Sequence, residues 1–243
     1  MLASRSRAFI IYQMNDLLPQ LMRADIYTSL RREILSCAIP PGAEIRDAAF
    51  AERFSVSRSP VRDALLRLEA EGLVLIHPRK GYRAAPISIA DARDLFAFRA
   101  ILEPACAASI ATEAGDADLA ALDRFRAMDG TAEDGMAENE PNAASAAFVR
   151  YNREFHLAIA ALCSNRRLRD TTIDLIEQFD RFVTVSISSD SDAQHAALIA
   201  EHCEIIDALQ MRDGKRAGRI LARHAGRARK RVLAALSGSP IVP

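Results

Sequence analysis

Apolar residues recur at helical spacing between Ala24 and Cys37, as Ile26, Leu30, Ile34 and Leu35, and this run predicts the first helix of the chain. Pro40, Pro41 and Gly42 must end it, because proline lacks the N–H that a helix interior needs. A short helix is expected from about Asp47 to Phe54, then a tight turn at Ser55–Val56, then a helix to about Glu71 with Ser57 as its N-cap. Pro60 falls in the first turn of that helix, where its missing N–H costs little, and Gly72 stops it. Val61, Ala64, Leu65 and Leu68 share one face and must pack inward. Leu73–His77 and Tyr82–Ala85 read as two short strands about a turn at Arg79–Lys80–Gly81.

Beyond Pro86 the period is helical throughout, with helices expected near 89–114, 116–128, 142–164, 166–188, 192–212 and 214–237. Short connections between six helices imply an antiparallel bundle. The segment Met128–Pro141, rich in Gly, Asp and Glu, is the expected mobile loop. The fold class is therefore mainly α: a winged helix-turn-helix followed by an all-α bundle of six or seven helices. The expected boundaries are an arm over 1–21 without sustained periodicity, read as disordered, a winged helix over 22–87, a helical domain over 88–238 and a tail over 239–243.

Charge changes this picture modestly. The chain as a whole is neutral, with 32 basic and 32 acidic residues. Residues 22–87 hold 11 Arg or Lys against 8 Asp or Glu, whereas residues 88–243 hold 19 against 23. A basic small domain joined to a mildly acidic larger one suits a nucleic-acid reader with a second module. Four cysteines (Cys37, Cys106, Cys163 and Cys203) are scattered without a CxxC pair, so reduced side chains are expected rather than a disulfide framework or a thiolate zinc site. Apolar runs are too short for a bilayer span and no signal peptide is apparent, so a cytoplasmic protein is expected.

In a winged helix-turn-helix the second helix enters the major groove N-terminus first. Ser59 and Arg62 project from its outer face and Arg58 sits at the edge, where an arginine fork can grip guanine O6 and N7 or clamp a phosphate. Gly81 at the wing tip allows close approach to a groove, with Arg79 and Lys80 meeting phosphates. The string FAERFSVSRSPVRDALLRLEAEGLV, then HPRKGYRA, with IPPGAEI upstream, resembles the winged-helix signature of GntR-family bacterial regulators. That resemblance implies that Arg58, Ser59 and Arg62 read operator DNA and that Gly81 lies at the minor groove. Ser55 stands where a glycine is usual, Phe50 where a leucine is usual, and Ala48 where some relatives carry a DNA-contacting arginine.

Among the five histidines, His156 has Asn152 one helical turn before it, on the same face. His202 and His224 each lie 11 residues from Asp213, in the turn that joins the last two helices, and so stand at similar heights in the bundle. Three imidazoles and one oxygen suit zinc, nickel or another divalent transition metal; the other reading, which the residues alone favour, is that each histidine is an ordinary core or interfacial residue. His77 and His195 have no such companions. The segments FRAILEPACAASIA, NREFHLAIAALCSN and EHCEIIDALQMRDGKRAGRILARH resemble the FCD ligand-binding domain of the FadR-like GntR subgroup. This resemblance implies that Asn152, His156, His202 and His224 are metal ligands, with asparagine in place of the more usual aspartate. It also implies that Arg99 faces the pocket and holds an effector carboxylate; the alternative is an i,i+4 salt bridge to Glu103.

The expected function is a homodimeric, metabolite-responsive DNA-binding transcriptional regulator, a repressor released from its operator by a small carboxylate, with Pro86–Ala92 as the joint. Two other readings are a metal-dependent enzyme with an accessory winged helix, and a protein-interaction module whose wing meets protein. No HExxH, GxSxG, Walker loop or GxGxxG is present, and Glu154 points off the His156 face.

Overall fold

A computed structural model describes residues 25–127, 143–187 and 192–237. The expected arm over 1–21, the loop Met128–Pro141 and the tail over 239–243 all lie outside the described residues. The chain divides after Pro86 into two compact units.

In the first unit, α1 (25–35) buries Ile26, Leu30, Ile34 and Leu35, the stripe that its spacing predicts. Strand β1 (Glu44–Ile45) precedes α2 (Asp47–Arg53) and α3 (Arg58–Ala70), and β2 (Val74–His77) and β3 (Gly81–Ala84) form the wing. The sheet is antiparallel in the order β1-β3-β2, with Ile76 opposite Tyr82 and Ile45 opposite Tyr82 on the other side. Burying Val61, Leu65 and Leu68 on α3 contributes about 1.5–3 kcal/mol each. Arg53 grips Glu33 through two 2.8 Å bonds and Arg31 meets Glu71 at 2.9 Å, fastening α2 and the end of α3 to α1. Ser57 stands at the N-cap of α3 but its side chain makes no cap bond. Ser55 has φ +54, so it occupies in the α2–α3 turn the left-handed conformation that favours glycine.

The second unit holds α4 (Ile89–Glu113), α5 (Asp116–Ala120), a 3₁₀ turn (Ala121–Phe125), α6 (Ala143–Ala161), α7 (Arg166–Ile187), α8 (Asp192–Gln210) and α9 (Gly214–Ser237). The helix expected over 116–128 is thus a correction: it stops early and tightens. The Leu119 carbonyl accepts from Gln210 Nε2 at 3.1 Å and the Phe125 carbonyl from Tyr151 Oη at 2.8 Å, so distant side chains take acceptors that a continuing helix would use. The N-caps of α4, α7 and α9 are made by Ser88, Asn165 and Asp213, each accepting from a backbone N–H.

Helix α9 packs most extensively on α4. A Cβ on Gly214 would lie 3.0 Å from Ala111 Cβ, and one on Gly218 3.2 Å from Pro104 Cβ, so the two backbones meet with little between them. By length and composition α4 could cross a membrane, but nearly half of its most apolar stretch is buried in the bundle and it carries the buried pair Arg99 and Glu103. Phe96, Phe148, Phe155, Phe179, Ile205 and Leu221 are core residues of this unit. The four cysteines form no disulfide with one another, and burial pushes Cys106 up to about 12, far from a reactive thiolate.

Candidate functional site

The first candidate surface lies on α3 and the wing. Val61, Ala64, Leu65 and Leu68 face the core, which turns Arg58, Ser59 and Arg62 out to solvent. At the wing tip Arg79 has φ +65 and Gly81 φ +91, a turn closed by Lys80 N–H donating to the His77 carbonyl at 3.0 Å. Arg62, Lys80 and Gly81 come together around a depression of about 410 Å³ that Asp47, Ala48 and Tyr82 also line. Arg58, Ser59 and Arg79 are exposed nearby in sequence but do not line it. Arg62 Nε donates to Asp47 Oδ2 at 2.6 Å, a contact that periodicity along α3 could not reveal because its partner is 15 residues away.

The second candidate site is buried in the helical unit. His156 comes from α6, His202 from α8 and His224 from α9, and one nitrogen of each lies within 4.8 Å of the others. They are 2 %, 0 % and 2 % exposed, and Asn152, one turn before His156, is 7 % exposed. His202 stacks on Phe155 with ring centres 3.8 Å apart, which fixes its plane.

Hydrogen bonds decide which nitrogens hold lone pairs. Tyr151 Oη donates its only proton to the Phe125 carbonyl, so the 3.1 Å contact with His202 Nδ1 makes that nitrogen the donor. His202 Nε2 is then a bare lone pair, buried and without a hydrogen-bond partner. Similarly, His224 Nδ1 donates to Glu201 Oε2 at 2.8 Å, which leaves Nε2 as its acceptor nitrogen. Glu201 is in turn paired with Arg227. Carboxylate or hydroxyl partners on the far nitrogen are how metal-binding histidines are oriented and made more basic.

Arg99 of α4 reaches the same cluster. Its Nε donates to Glu103 Oε1 at 2.5 Å, its Nη2 lies 2.7 Å from His156 Nε2 and 3.1 Å from Nδ1, and its guanidinium sits 4.3 Å over the Phe179 ring. The i,i+4 pair with Glu103 and the approach to the histidines therefore coexist. Arg99 Nη1 and Glu103 Oε2 are buried without hydrogen-bond partners.

Burial holds all three histidines well below their usual 6.5, and the Arg99 charge adds to the effect, so the cluster is neutral at physiological pH. Burial likewise pushes the Glu103 carboxyl up, while Arg99 pulls it down. Neutral imidazoles with inward lone pairs are the form that a divalent transition metal takes up without first displacing a proton. The donor set thus fits such an ion. One feature opposes it, since Arg99 Nη2 and a metal would compete for the same lone pair on His156.

Of the residues that sequence singled out, the structure brings His156, His202, His224 and Arg99 together. His77 lies exposed on β2 and His195 stacks on Phe148 at 4.2 Å. Sequence reasoning missed Asp47, Tyr151 and Glu201. Tyr151 and Glu201 each sit one residue before a proposed ligand, but their partners lie on other elements. Glu154 is exposed, as its position on α6 requires.

Comparison with known proteins follows the same division. Residues 94–227 match the FCD domain, and residues 22–83 match the gntR family of bacterial regulatory proteins. The HTH-type transcriptional repressor RspR of Escherichia coli K12 is 28 % identical over 212 residues, covering 87 % of this chain and 88 % of its own. The repressor GlaR of the same organism is 28 % identical over 217 residues, covering 82 % and 90 %. Among solved structures, a GntR regulator from Rhodococcus sp. RHA1 superposes with TM-score 0.70 at 20 % identity, covering 87 % of this chain and 97 % of its own. McbR/YncC of E. coli superposes with TM-score 0.69 at 19 % identity, covering 85 % and 94 %. These two likenesses concern the fold.

Proposed function

The chain belongs to the gntR family of bacterial regulatory proteins and carries an FCD domain, and from that membership we propose how it senses and responds. It is a DNA-binding transcriptional regulator responsive to a metabolite. In our reading it acts in the cytoplasm as a homodimeric repressor, released from its operator when a small carboxylate binds the helical unit. The sign of regulation is taken from RspR and GlaR, both named as repressors.

On this reading Arg58, Ser59 and Arg62 contact the operator from α3, while Arg79, Lys80 and Gly81 meet it from the wing. Asn152, His156, His202 and His224 would hold zinc or nickel, which when bound supplies a Lewis-acid position for the effector carboxylate. Arg99 orients that carboxylate. A guanidinium nitrogen without a partner, Nη1, gives it a donor to spare. The aromatic walls from Phe155 and Phe179 exclude water and strengthen each polar contact. For the dimer, the support is α4, where Phe98 and Ile101 are 45 % and 66 % exposed one turn apart. Two copies joined by a two-fold axis would present paired reading helices to a pseudo-palindromic operator.

The single observation that carries the sensing role is the buried, unpartnered Nε2 of His202 amid two other neutral imidazoles. A lone pair desolvated to that degree is costly unless a ligand meets it. The test is elemental analysis and native mass spectrometry of the purified protein, followed by anisotropy titration of a selected operator with a panel of small carboxylates. The expected result is bound zinc or nickel and an effector that changes operator affinity by roughly 5–150-fold, a normal coupling. A protein that takes up no divalent metal, and whose operator affinity ignores every carboxylate in wild type and Arg99→Ala alike, would overturn the proposal.

A further inference from the structure

We propose that Asp47 is a positioning residue that sets the sequence specificity of the DNA-reading surface. It holds Arg62 by one edge, so that the other edge is presented to a base. The inference rests on reading α3 as the recognition helix.

Asp47 is the first residue of α2, so its backbone is fixed by the helix start, and its side chain is only 18 % exposed. It meets Arg62 through Nε alone, at 2.6 Å, and Arg62 has no second hydrogen-bond partner among the described residues. A guanidinium is a rigid planar fork. Engaging it at Nε fixes the orientation of its plane and leaves the Nη1 and Nη2 hydrogens for a bidentate grip on guanine O6 and N7.

The neighbouring cations are treated differently. Arg58, Arg79 and Lys80 are exposed, and the described residues give them no acidic partner. Phosphate contacts tolerate many rotamers, because charge alone does most of the attracting. A base contact needs the fork in one place. Of these four cations Arg62 is the pinned one and is suited to read, and the unpinned three to hold; Arg46, which also lines the depression, meets Glu44 at a looser 3.2 Å and is 75 % exposed. Asp47 also lines the depression that Arg62, Lys80, Gly81 and Tyr82 share. Its charge neutralises Arg62 toward phosphates and repels any phosphate entering there. Random DNA then gains little from Arg62, and a duplex offering the right base gains all of it.

The full-length protein would first select its preferred duplex from a randomised 30-base-pair library. Affinities for the selected duplex and a scrambled duplex would then be measured across salt for wild type, Asp47→Asn, Asp47→Glu and Arg62→Ala. In Asp47→Asn we expect the ratio of selected to scrambled affinity to fall on the order of tenfold, the size of one good base contact. Scrambled-duplex binding should tighten, with a salt slope steeper by about 0.9, as a freed Arg62 takes up a phosphate. Asp47→Glu, which keeps the carboxylate, should retain most of the ratio. Side-chain NMR of the Arg62 Nε–Hε group should report a fixed guanidinium in wild type and a mobile one in Asp47→Asn, independent of any DNA. If Asp47→Asn keeps the ratio and the base preference while Arg62→Ala loses both, Arg62 reads without help and the inference is wrong. If Arg62→Ala also keeps both, the assignment of Arg62 to base reading fails instead.

Discussion

Replacing Asp180 by asparagine should stabilise the protein above pH 7, although it removes half of an ion pair. Asp180 lies on α7, 8 % exposed, and accepts from Arg153 Nε at 2.7 Å. Burial pushes its carboxyl up to about 7, outweighing the pull of Arg153, and the nearby Glu177 charge adds to the rise. The folded state therefore keeps a proton between about 3.8 and 7 that the unfolded chain has lost. The native protein binds more protons in that window, so stability falls as pH rises through it, by about 1.4 kcal/mol per pH unit. From pH 5 to pH 8 the wild type gives up about 2.5 kcal/mol on this account, with the loss levelling off above pH 7. The amide has no proton to lose, and its oxygen still accepts from Arg153, which is 41 % exposed and can also turn to water. Urea unfolding of both proteins at pH 5, 6, 7 and 8 gives the difference directly, because every other titrating group cancels. The stability of Asp180→Asn relative to wild type should rise by 2–3 kcal/mol across the range, as worked above. Parallel curves would mean that Asp180 is ionised in the folded protein throughout, and that Arg153 prevails over burial.

Four further outcomes are expected. Adding zinc or nickel to metal-stripped protein at 100 times its dissociation constant should raise stability by about 2.7 kcal/mol in wild type, seen as a higher Tm, and leave His202→Ala unmoved. Asn152→Asp should tighten that metal by roughly tenfold or more in a chelator competition, because a carboxylate is a stronger donor than an amide oxygen. Ser55→Gly should stabilise the winged-helix unit by about 0.5–1 kcal/mol in chemical denaturation, since Ser55 has φ +54; an unchanged midpoint would show that the left-handed turn carries no strain. Phe98→Glu with Ile101→Glu should yield monomers in sedimentation velocity while leaving helical circular dichroism intact, if α4 is the dimer face.

Much of the fold can be read locally. The stripe on α1, the inward face of α3 and the hairpin between Leu73 and Ala85 follow from periods of 3.6 and 2 with Pro and Gly as punctuation. Strand β1 escapes such reading because two residues carry no period, and it exists only through pairing with β3. The shortened α5 escapes it too, since Gln210 and Tyr151 act from 91 and 26 residues away. The site divides in the same manner. The heights of His202 and His224 follow from counting residues about one turn. The protonation of their rings does not, because it depends on Tyr151 and Glu201 reaching across helix boundaries. Arg99 illustrates both cases, with Glu103 four residues away and His156 57 residues away.

The glycine contacts between α4 and α9 bear on how the site can respond to a ligand. Where backbones touch through Gly214 and Gly218, there are no long side chains whose rotamers could absorb a displacement. Arg99 and His224 ride on those two helices, the most extensively packed pair of the unit. His156 and His202 arrive on α6 and α8, which pack less extensively on that pair. On the proposed reading, the room to adjust to a ligand's size would lie in α6 and α8 rather than between α4 and α9.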